Sequence, residues 1–299
     1  MYIKNLAKDE IRSGFLVTTD RKKLWDKLLE LLIEFDRICK KYSINYVLAG
    51  GTLLGAVRHG GFIPWDDDID LYVSRPDYMR LQEIMPREVH YPYRYDTPYT
   101  NRILNGKHNF IDLESTAYFV KHNLEGQATG CFIDIIPLEV GINPKLDYPE
   151  EIALLPTLQR DLFLLTIDDD YDEHREFYNP ILSDETINSI KSKPILERYR
   201  IFDDYLLSIY DKTDYLFEIS INPLHGTPNR GFYSKQDVFT TIELEFEGYK
   251  FPAPSGYENM LTEYYGDWRT EIRGSAKHEG TIAFSTDIPF KDFLRKIRN

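Results

Sequence analysis

The chain has 299 residues, a net charge of −13 and a hydrophobic content of 42%, which is typical of a folded globular protein with one large or two smaller domains. The acidic balance excludes a nucleic-acid partner, because binding to phosphates requires a basic face. Only two cysteines are present, Cys39 and Cys131. Their distance along the chain and apolar neighbours exclude a zinc cluster or a disulfide framework and predict two free, buried thiols.

Residues 1–18 carry no clear periodicity, and we expect an extended lead-in there. The opening MYIKNLAKDEIRSG is charged and has no apolar centre, so it is not typical of a secretory signal. No apolar run approaches the ~20 residues of a membrane span. We therefore expect a cytoplasmic protein.

The first strong periodicity predicts an amphipathic helix that Thr19 or Asp20 caps. Its apolar residues recur every three or four positions, and they are Leu24, Leu28, Leu31, Phe35, Ile38 and Tyr42. This spacing forms one continuous stripe, which predicts that the helix packs on a sheet.

The most informative segment runs from Ile44 to Tyr72. Its apolar beginning, Ile44–Ala49, predicts a buried strand. The pair Gly50-Gly51 ends this run, and Leu53–Arg58 predicts a short helix. Further glycines and a proline then indicate a turn.

Four aspartates follow this turn, namely Asp66, Asp67, Asp68 and Asp70. Side chains two residues apart on a strand point the same way, so Asp68 and Asp70 can hold the same cation. Carboxylate oxygens suit a hard ion such as Mg²⁺, and glycines upstream allow backbone N–H groups to approach an anion. A phosphate held beside a cation indicates phosphoryl transfer.

A second acidic signal is Asp134 in the strand-like string GCFIDIIPL. A carboxylate inside an apolar strand is costly to bury without a cation or hydrogen bonds. From the residues alone, Asp134 is either a hydrogen-bonded structural residue or a third carboxylate at the same site.

Between these signals, Pro76 predicts the start of a helix through about Met85. The alternating Tyr91, Tyr93 and Tyr95 predict a strand with one aromatic face. Such a face can attract a quaternary ammonium by cation–π interaction.

The composition changes beyond Pro144. Residues 168–173 are an acidic run typical of solvated surface. A second amphipathic helix is predicted after Pro194, with its stripe at Ile195, Tyr199, Phe202, Leu206 and Ile209. Residues 242–254 alternate as a hairpin, and Ser255–Glu258 has the spacing of a capping box for a helix that ends near Gly266. The basic end, Lys291–Asn299, predicts a short amphipathic helix, with contact to an anionic membrane surface as the alternative.

Three other site types share parts of the aspartate pattern. A calcium-binding EF-hand needs glycine at its sixth position and glutamate at its twelfth, where this chain has Leu71 and Asp77. A P-loop needs lysine where this chain has Gly61. Metal-dependent nucleotide-sugar glycosyltransferases also use an Asp-x-Asp pair, but they do not require the preceding strand–Gly-Gly–helix element.

The apolar-Gly-Gly and Asp-apolar-Asp elements together resemble the nucleotidyltransferase superfold. The longer string GGTLLGAVRHGGFIPWDDDIDL is similar to the LicD-like phosphotransferases, as are GCFIDIIPL and the segment from Phe246 to Trp268. The resemblance implies an α/β (α+β) fold. The composition change near Pro144 sets the expected boundary. Residues 1–145 would form a nucleotidyltransferase-like mixed sheet with flanking helices, and residues 146–299 a mostly helical part with a hairpin.

The same resemblance implies a function. Bacterial members of the family move phosphocholine from CDP-choline onto surface glycans, and the distant fukutin-type members transfer ribitol phosphate. We therefore expect Mg²⁺-dependent transfer of a phospho-alcohol from a CDP-alcohol to a hydroxyl of a glycan, lipid-linked glycan or teichoic-acid precursor, with release of CMP. Transfer of NMP from an NTP, or nucleotide binding without catalysis, are the alternatives. Peripheral contact with the inner membrane surface is a further expectation.

The resemblance also implies roles for individual residues. The catalytic residues would be Asp68, Asp70 and Asp134, and the ligands of Mg²⁺ or Mn²⁺ would be Asp66, Asp68, Asp70 and Asp134, with Asp67 in support. The predicted substrate-binding residues are Gly50, Gly51, Thr52, Arg58, His59, Trp65, Lys277 and His278.

Overall fold

The computed structural model describes residues 2–101, 106–120, 128–143, 145–167, 180–218, 232–273 and 282–298. The strands, in chain order, are β1 (Glu10–Arg12), β2 (Phe15–Val17), β3 (Tyr46–Leu48), β4 (Asp70–Ser74), β5 (Tyr93–Asp96), β6 (His108–Phe119), β7 (Ala128–Gly141), β8 (Tyr215–Phe217), β9 (Tyr233–Ser234), β10 (Thr241–Phe246), β11 (Tyr249–Pro254) and β12 (Ile282–Ser285). The helices are α1 (Thr19–Tyr42), α2 (Gly50–His59), α3 (Arg75–Glu88), α4 (Glu150–Ala153), α5 (Leu155–Ile167), α6 (Asp184–Lys191), α7 (Ile195–Ile209), α8 (Lys235–Phe239), α9 (Tyr257–Tyr265) and α10 (Phe290–Arg298).

A mixed sheet organises these elements. Its strand order is β12–β6–β7–β4–β3, with β5 beside β6 and the β8–β9 pair beside the end of β7. Strands β4 and β7 run parallel, and the other neighbours are antiparallel. The mixed α/β class is therefore confirmed. Strands from early and late in the chain, β3 and β12, join this sheet. The division into two domains at residue 145 stays a prediction.

The two faces of the sheet have different neighbours. Alternation along β4 turns Leu71 and Val73 toward α1, where they join one hydrophobic cluster. Tyr72 faces the other way and joins a second cluster with residues of β7, α5 and α7. Because Asp70 is two residues from Tyr72, its side chain lies on this second face.

Helix α1 follows the predicted apolar stripe, since Leu28, Leu31, Phe35 and Ile38 are all buried. The predicted caps, Thr19 or Asp20, lie one and two residues after the observed one. Thr18 has the extended backbone of an N-cap, and its hydroxyl oxygen accepts a hydrogen bond from the Arg21 N–H at 3.2 Å.

The helix before Gly266 begins differently from the prediction. Gly256 is its N-cap and no side chain caps it, so the predicted capping box is wrong. A Cβ at Gly256 would lie only 2.4 Å from the Asp237 Cβ, so close packing on α8 determines this start. The end at Gly266, the hairpin of β10 and β11, and the helix after Pro194 are confirmed.

The tyrosine-rich strand is shorter than predicted. Strand β5 begins at Tyr93, and Tyr91 precedes it with 74% of its surface exposed. Tyr93 and Tyr95 both pack against Phe110, and the Tyr95 hydroxyl bonds with His108 Nδ1 at 2.8 Å. These rings are used in packing rather than in an open aromatic face.

A buried ion cluster joins the second face to α7. The Arg75 Nε lies 3.1 Å from Glu139 Oε2, and one Arg75 terminal nitrogen lies 3.1 Å from Asp203 Oδ1. All three side chains are buried. The guanidinium of Arg75 therefore compensates the charges of the two carboxylates, and they compensate its charge. Arg75 lies at the start of α3 and Glu139 on β7, and the cluster fixes these elements to α7.

Cys39 and Cys131 are free and buried, as predicted. Within the described ranges, no helix combines the length and apolar character needed to cross a membrane.

Candidate active site

The aspartate loop, Asp66–Asp70, brings several carboxylates together at the start of β4. Asp66, Asp67 and Asp68 each offer an oxygen within 4.8 Å of the others. The loop is fixed from outside, because the Asp66 carbonyl accepts hydrogen bonds from Arg21 and from the Trp25 indole N–H, both at 2.9 Å. Helix α1 therefore holds the position of this loop.

The glycine pair forms the first turn of α2 rather than a break before it. The helix begins at Gly50, three residues earlier than predicted, and Gly50 has a φ of +46°. A Cβ at Gly51 would lie 2.4 Å from Asp66 Oδ2, and one at Gly50 would lie 3.4 Å from Asp70 Oδ2. The missing side chains thus allow the carboxylates to approach the helix N-terminus, whose first N–H groups have no partner within the helix.

Thr52 connects the helix to the strand. Its hydroxyl oxygen accepts a hydrogen bond from the Asp70 N–H at 3.0 Å, and Thr52 is buried. The Ala49 N–H donates to the Asp70 carbonyl at 3.0 Å. These bonds fix the backbone on both sides of Asp70, so its carboxylate keeps a defined position beside the glycines.

Asp134 is the direct neighbour of Asp70 across the parallel strands. The two residues are register partners in the β4–β7 ladder, which places their Cα atoms about 5 Å apart. Alternation puts both side chains on the second face, since the next residue on β7, Ile135, joins the α1 cluster. The sheet therefore brings Asp134 to the aspartate loop.

Two side chains from the β6 side of the sheet contact Asp134. The Lys107 ammonium lies 3.2 Å from Asp134 Oδ2, and the Asn109 amide donates to Asp134 Oδ1. The pKa of Lys107 is raised, first by Asp134 and further by Asp70 and Glu218. Lys107 therefore supplies a positive charge between carboxylates of different elements.

The crowding of carboxylates affects the pKa of Asp66. Burial raises its pKa well above 3.8, and the nearby charges of Asp68, Asp70 and Asp67 raise it further. Oxygen-only donors gathered in a half-buried position are the set that Mg²⁺ or Mn²⁺ prefers. The residues present therefore fit a hard divalent cation, which would relieve the mutual repulsion.

Three predicted substrate-binding residues lie farther along α2 or after it. Arg58 is eight residues from Gly50, about 12 Å along the helix axis. It donates to the Trp268 carbonyl at 3.0 Å. His59 Nε2 lies 3.2 Å from Glu271 Oε1, and burial lowers the pKa of His59 below 6.5. Trp65 is buried, with its ring edge-on to those of Phe15 and His59. Arg58 and His59 thus lie at the end of α2 opposite the glycine pair, and the substrate-binding roles of all three residues stay predictions.

Lys277 and His278, the other predicted substrate-binding residues, lie outside the described residues, as does the acidic run 168–173.

Sequence reasoning gave no role to two residues that the structure brings to the site. Lys107 reaches Asp134 because β6 runs antiparallel to β7, a pairing that no local pattern indicates. Burial raises the pKa of Tyr265, as do Tyr264 and the charges of Asp66, Asp70 and Asp68. The available sequence signal for Tyr265 was its position in the Tyr-Tyr-Gly-Asp-Trp string, which resembles the family.

A cavity of about 430 Å³ adjoins the aspartate loop through Asp67. The start of α1 and the strand β12 form its walls. Its lining includes hydroxyl, carboxyl and guanidinium groups beside apolar carbons, contributed by Thr18, Asp20, Arg21, Leu24, Asp67, Ile282, Phe284, Ser285, Thr286 and Asp287.

A glycine-started helix facing carboxylates on two neighbouring strands of a mixed sheet indicates an enzyme of the nucleotidyltransferase type. A family model described as "LicD/FKTN/FKRP, nucleotidyltransferase domain" matches residues 43–139, the segment that contains the aspartate loop and Asp134. The lipopolysaccharide cholinephosphotransferase LicD of Haemophilus influenzae is 30% identical over 264 residues, which cover 80% of this chain and 88% of that protein. The chain belongs to the LicD family and is a phosphotransferase.

Other proteins are similar to this chain over shorter segments. The uncharacterized protein RP689 of Rickettsia prowazekii is 39% identical over 74 residues, 24% of this chain and 28% of that protein. The human ribitol 5-phosphate transferase FKRP is 44% identical over 46 residues, 15% of this chain and 9% of that protein. The Haemophilus and human proteins thus share, by name, the transfer of a phosphate that carries an alcohol.

Proposed function

We propose that the protein transfers a phospho-alcohol from a CDP-alcohol to a hydroxyl group of a surface glycan and releases CMP. Phosphocholine from CDP-choline is the proposed donor group, because the relative that matches most of the chain is named a cholinephosphotransferase. The acceptor would be a glycan, a lipid-linked glycan or a teichoic-acid precursor. The proposal includes a cytoplasmic location with peripheral contact to the inner membrane surface.

One observation carries the proposal. Asp70 and Asp134 are register partners on parallel strands, and Asp70 lies against the glycine-started helix that also approaches Asp66. This arrangement offers carboxylates for a cation and the first N–H groups of a helix for phosphate oxygens in one place.

The proposed roles follow from these positions. The first N–H groups of α2, at Gly50, Gly51 and Thr52, bind oxygens of the diphosphate. Lys107 adds a positive charge beside the transferred phosphate. Asp66, Asp68, Asp70 and Asp134 would hold Mg²⁺ or Mn²⁺, which when bound neutralises the diphosphate and the charge that develops on CMP.

The transfer itself is a substitution at phosphorus. The acceptor oxygen forms a bond to the phosphorus that carries the alcohol, and the bond from this phosphorus to the bridging oxygen breaks. CMP leaves with that electron pair, and Asp134 accepts the hydroxyl proton. The cavity beside Asp67 is the proposed place for the acceptor sugar, because its hydroxyl and carboxyl groups can hydrogen-bond to a polyol.

A product assay tests this proposal against NMP transfer. The enzyme is incubated with CDP-choline, CDP-ribitol or CDP-glycerol, and separately with the four NTPs, with and without Mg²⁺. Release of CMP that depends on Mg²⁺ supports phospho-alcohol transfer. Release of pyrophosphate from an NTP would instead support attack at the α-phosphorus, and release of neither product, even with glycan acceptors, would refute both reactions.

A further inference from the structure

A lysine and an asparagine from the β6 side of the sheet hold both oxygens of Asp134. Lys107 directly precedes β6, and its ammonium lies 3.2 Å from Asp134 Oδ2. Asn109 is the register partner of Asp134 across the β6–β7 ladder, and its amide donates to Asp134 Oδ1. One side of this carboxylate is therefore occupied by donors, one of which carries a positive charge.

The backbone around Lys107 is fixed on both sides. The Tyr78 hydroxyl donates a hydrogen bond to the Gly106 carbonyl at 2.8 Å. His108 is fully buried, and its ring is stacked on that of Tyr78 with the ring centroids 3.7 Å apart. The Tyr95 hydroxyl bonds with the Nδ1 of His108. The residues immediately before and after Lys107 are thus held by buried rings, so its ammonium is a positioned charge.

Asp134 has different neighbours on its two sides, because β7 lies between β4 and β6. On one side, β4 supplies Asp70 and the aspartate loop, whose first three carboxylates each offer an oxygen within 4.8 Å of the others. On the other side, the β6 segment supplies Lys107 and Asn109. A cation fits between the loop and Asp134, whereas the β6 side already has a positive charge.

The chemistry of phosphate transfer gives this asymmetry a meaning. Enzymes that act on phosphates with two metal ions hold the ions about 3.5 to 4 Å apart, where they stabilise the attacking and the leaving oxygen. A second divalent ion on the β6 side of Asp134 would face the Lys107 ammonium, and like charges this close repel each other. The ammonium can replace such an ion, since it is a compact charge with three N–H donors for carboxylate and phosphate oxygens.

We propose that the Lys107 ammonium takes the position of a second cation, so that the enzyme binds one divalent ion per chain. The inference rests on the proposed function, which places the transferred phosphate beside Asp134, and extends it by giving the number of ions and the role of Lys107. Lys107 donates hydrogen bonds to non-bridging oxygens of that phosphate. It forms and breaks no covalent bond, so the atoms and electrons of the transfer balance as before.

Counting the bound Mn²⁺ ions tests the proposal without turnover. The enzyme is saturated with CDP, which has no alcohol to transfer, and is titrated with Mn²⁺ while electron paramagnetic resonance measures the free ion. A titration of CDP alone gives the background. We expect one bound ion per wild-type chain, and two ions per chain would overturn the proposal.

Lys107→Ala removes the ammonium and opens room beside Asp134, so we expect two ions per chain in this variant. At Mn²⁺ concentrations that fill only the first position, kcat for CMP release should fall by about 100-fold, and more Mn²⁺ should recover at least tenfold of this loss. Lys107→Gln keeps a donor for Asp134 and should show the same fall, because only the charge is lost. A count of one ion in Lys107→Ala, or a kcat of either variant within tenfold of wild type at low Mn²⁺, would overturn the proposal.

Lys27→Ala is the matched control. The Lys27 ammonium lies 2.8 Å from Asp112 Oδ2, and its side chain is 27% exposed, against 28% for Lys107. This pair lies at α1, on the face of the sheet opposite to Asp134, so its loss should leave one ion per chain and kcat within threefold of wild type. The same change of ion number in both variants would overturn the specific role of Lys107.

The ion count keeps this inference separate from the proposed function. A wild type that releases no CMP from any CDP-alcohol would refute phospho-alcohol transfer, while the number of ions bound with CDP would still decide the role of Lys107. Two ions per chain together with Mg²⁺-dependent release of CMP would overturn the inference alone.

Discussion

Replacing Gly51 by alanine should lower the activity of the site without lowering the stability of the fold. A Cβ at this position would lie 2.4 Å from Asp66 Oδ2, whereas ordinary contact begins at 3.4 Å. The carboxylate must therefore retreat by about 1 Å, the difference between these distances. The clashing atom is the end of a side chain, so the backbone can stay in place.

The expected effects have opposite signs. A displacement of about 1 Å in a reacting constellation can cost about 100-fold in rate, so we expect kcat/KM for CMP release to fall by about this factor. The stability should rise, because replacing glycine by alanine at a compatible helical position contributes about 0.5 to 1 kcal/mol.

Gly55→Ala is the matched control in the same helix. There a Cβ would also meet an atom at 2.4 Å, but this atom is the Gly61 backbone carbonyl oxygen. The backbone must shift, and we expect a loss of about 1 to 3 kcal/mol. Urea unfolding and the CMP assay on both variants measure the two quantities. A Gly51→Ala enzyme within threefold of wild-type activity, or one with reduced stability, would refute the reasoning.

Three further predictions address the charges. Asp70→Asn should lower kcat for CMP release by about 100- to 1,000-fold without altering the unfolding curve, and activity within tenfold of wild type would contradict its role. Glu139→Gln should lower the free energy of unfolding by about 3 kcal/mol, because buried Arg75 loses a partner, and a change below about 1 kcal/mol in urea unfolding would contradict that account. His108 should not titrate through pH 6.5 in NMR spectra, because burial and the charge of Arg75 lower its pKa well below 6.5. The unfolded chain takes up this proton, so the contribution of neutral His108 to stability is lost as pH falls below 6.5.

The sequence predicted elements whose signal is local and repeated. The stripe of α1 and the alternation around Leu71 each follow one period over many residues, because a single buried face imposes it. Asp134 was predicted to lie near Asp70 from its isolation in an apolar strand and from the family resemblance, and the register of β4 and β7 brings the two together. The catalytic and metal-binding roles of these residues stay predictions.

The contacts that sequence reasoning missed depend on pairing between distant segments. Lys107 reaches Asp134 only through the antiparallel β6–β7 ladder, and Glu218 reaches Tyr72 only because β8 joins the end of β7. The predicted capping box failed for a related reason. The contact of Gly256 with Asp237 moves the helix start, and no local pattern contains that contact.

The most direct test of the central claim is the position of a divalent cation. Crystals of the protein soaked with Mn²⁺ and CDP-choline would locate the ion by its anomalous scattering. The account predicts a peak bound by Asp68, Asp70 and Asp134, with the diphosphate of the nucleotide at Gly50 and Gly51. A bound nucleotide whose diphosphate lies away from these glycines, or an ion held elsewhere, would contradict it.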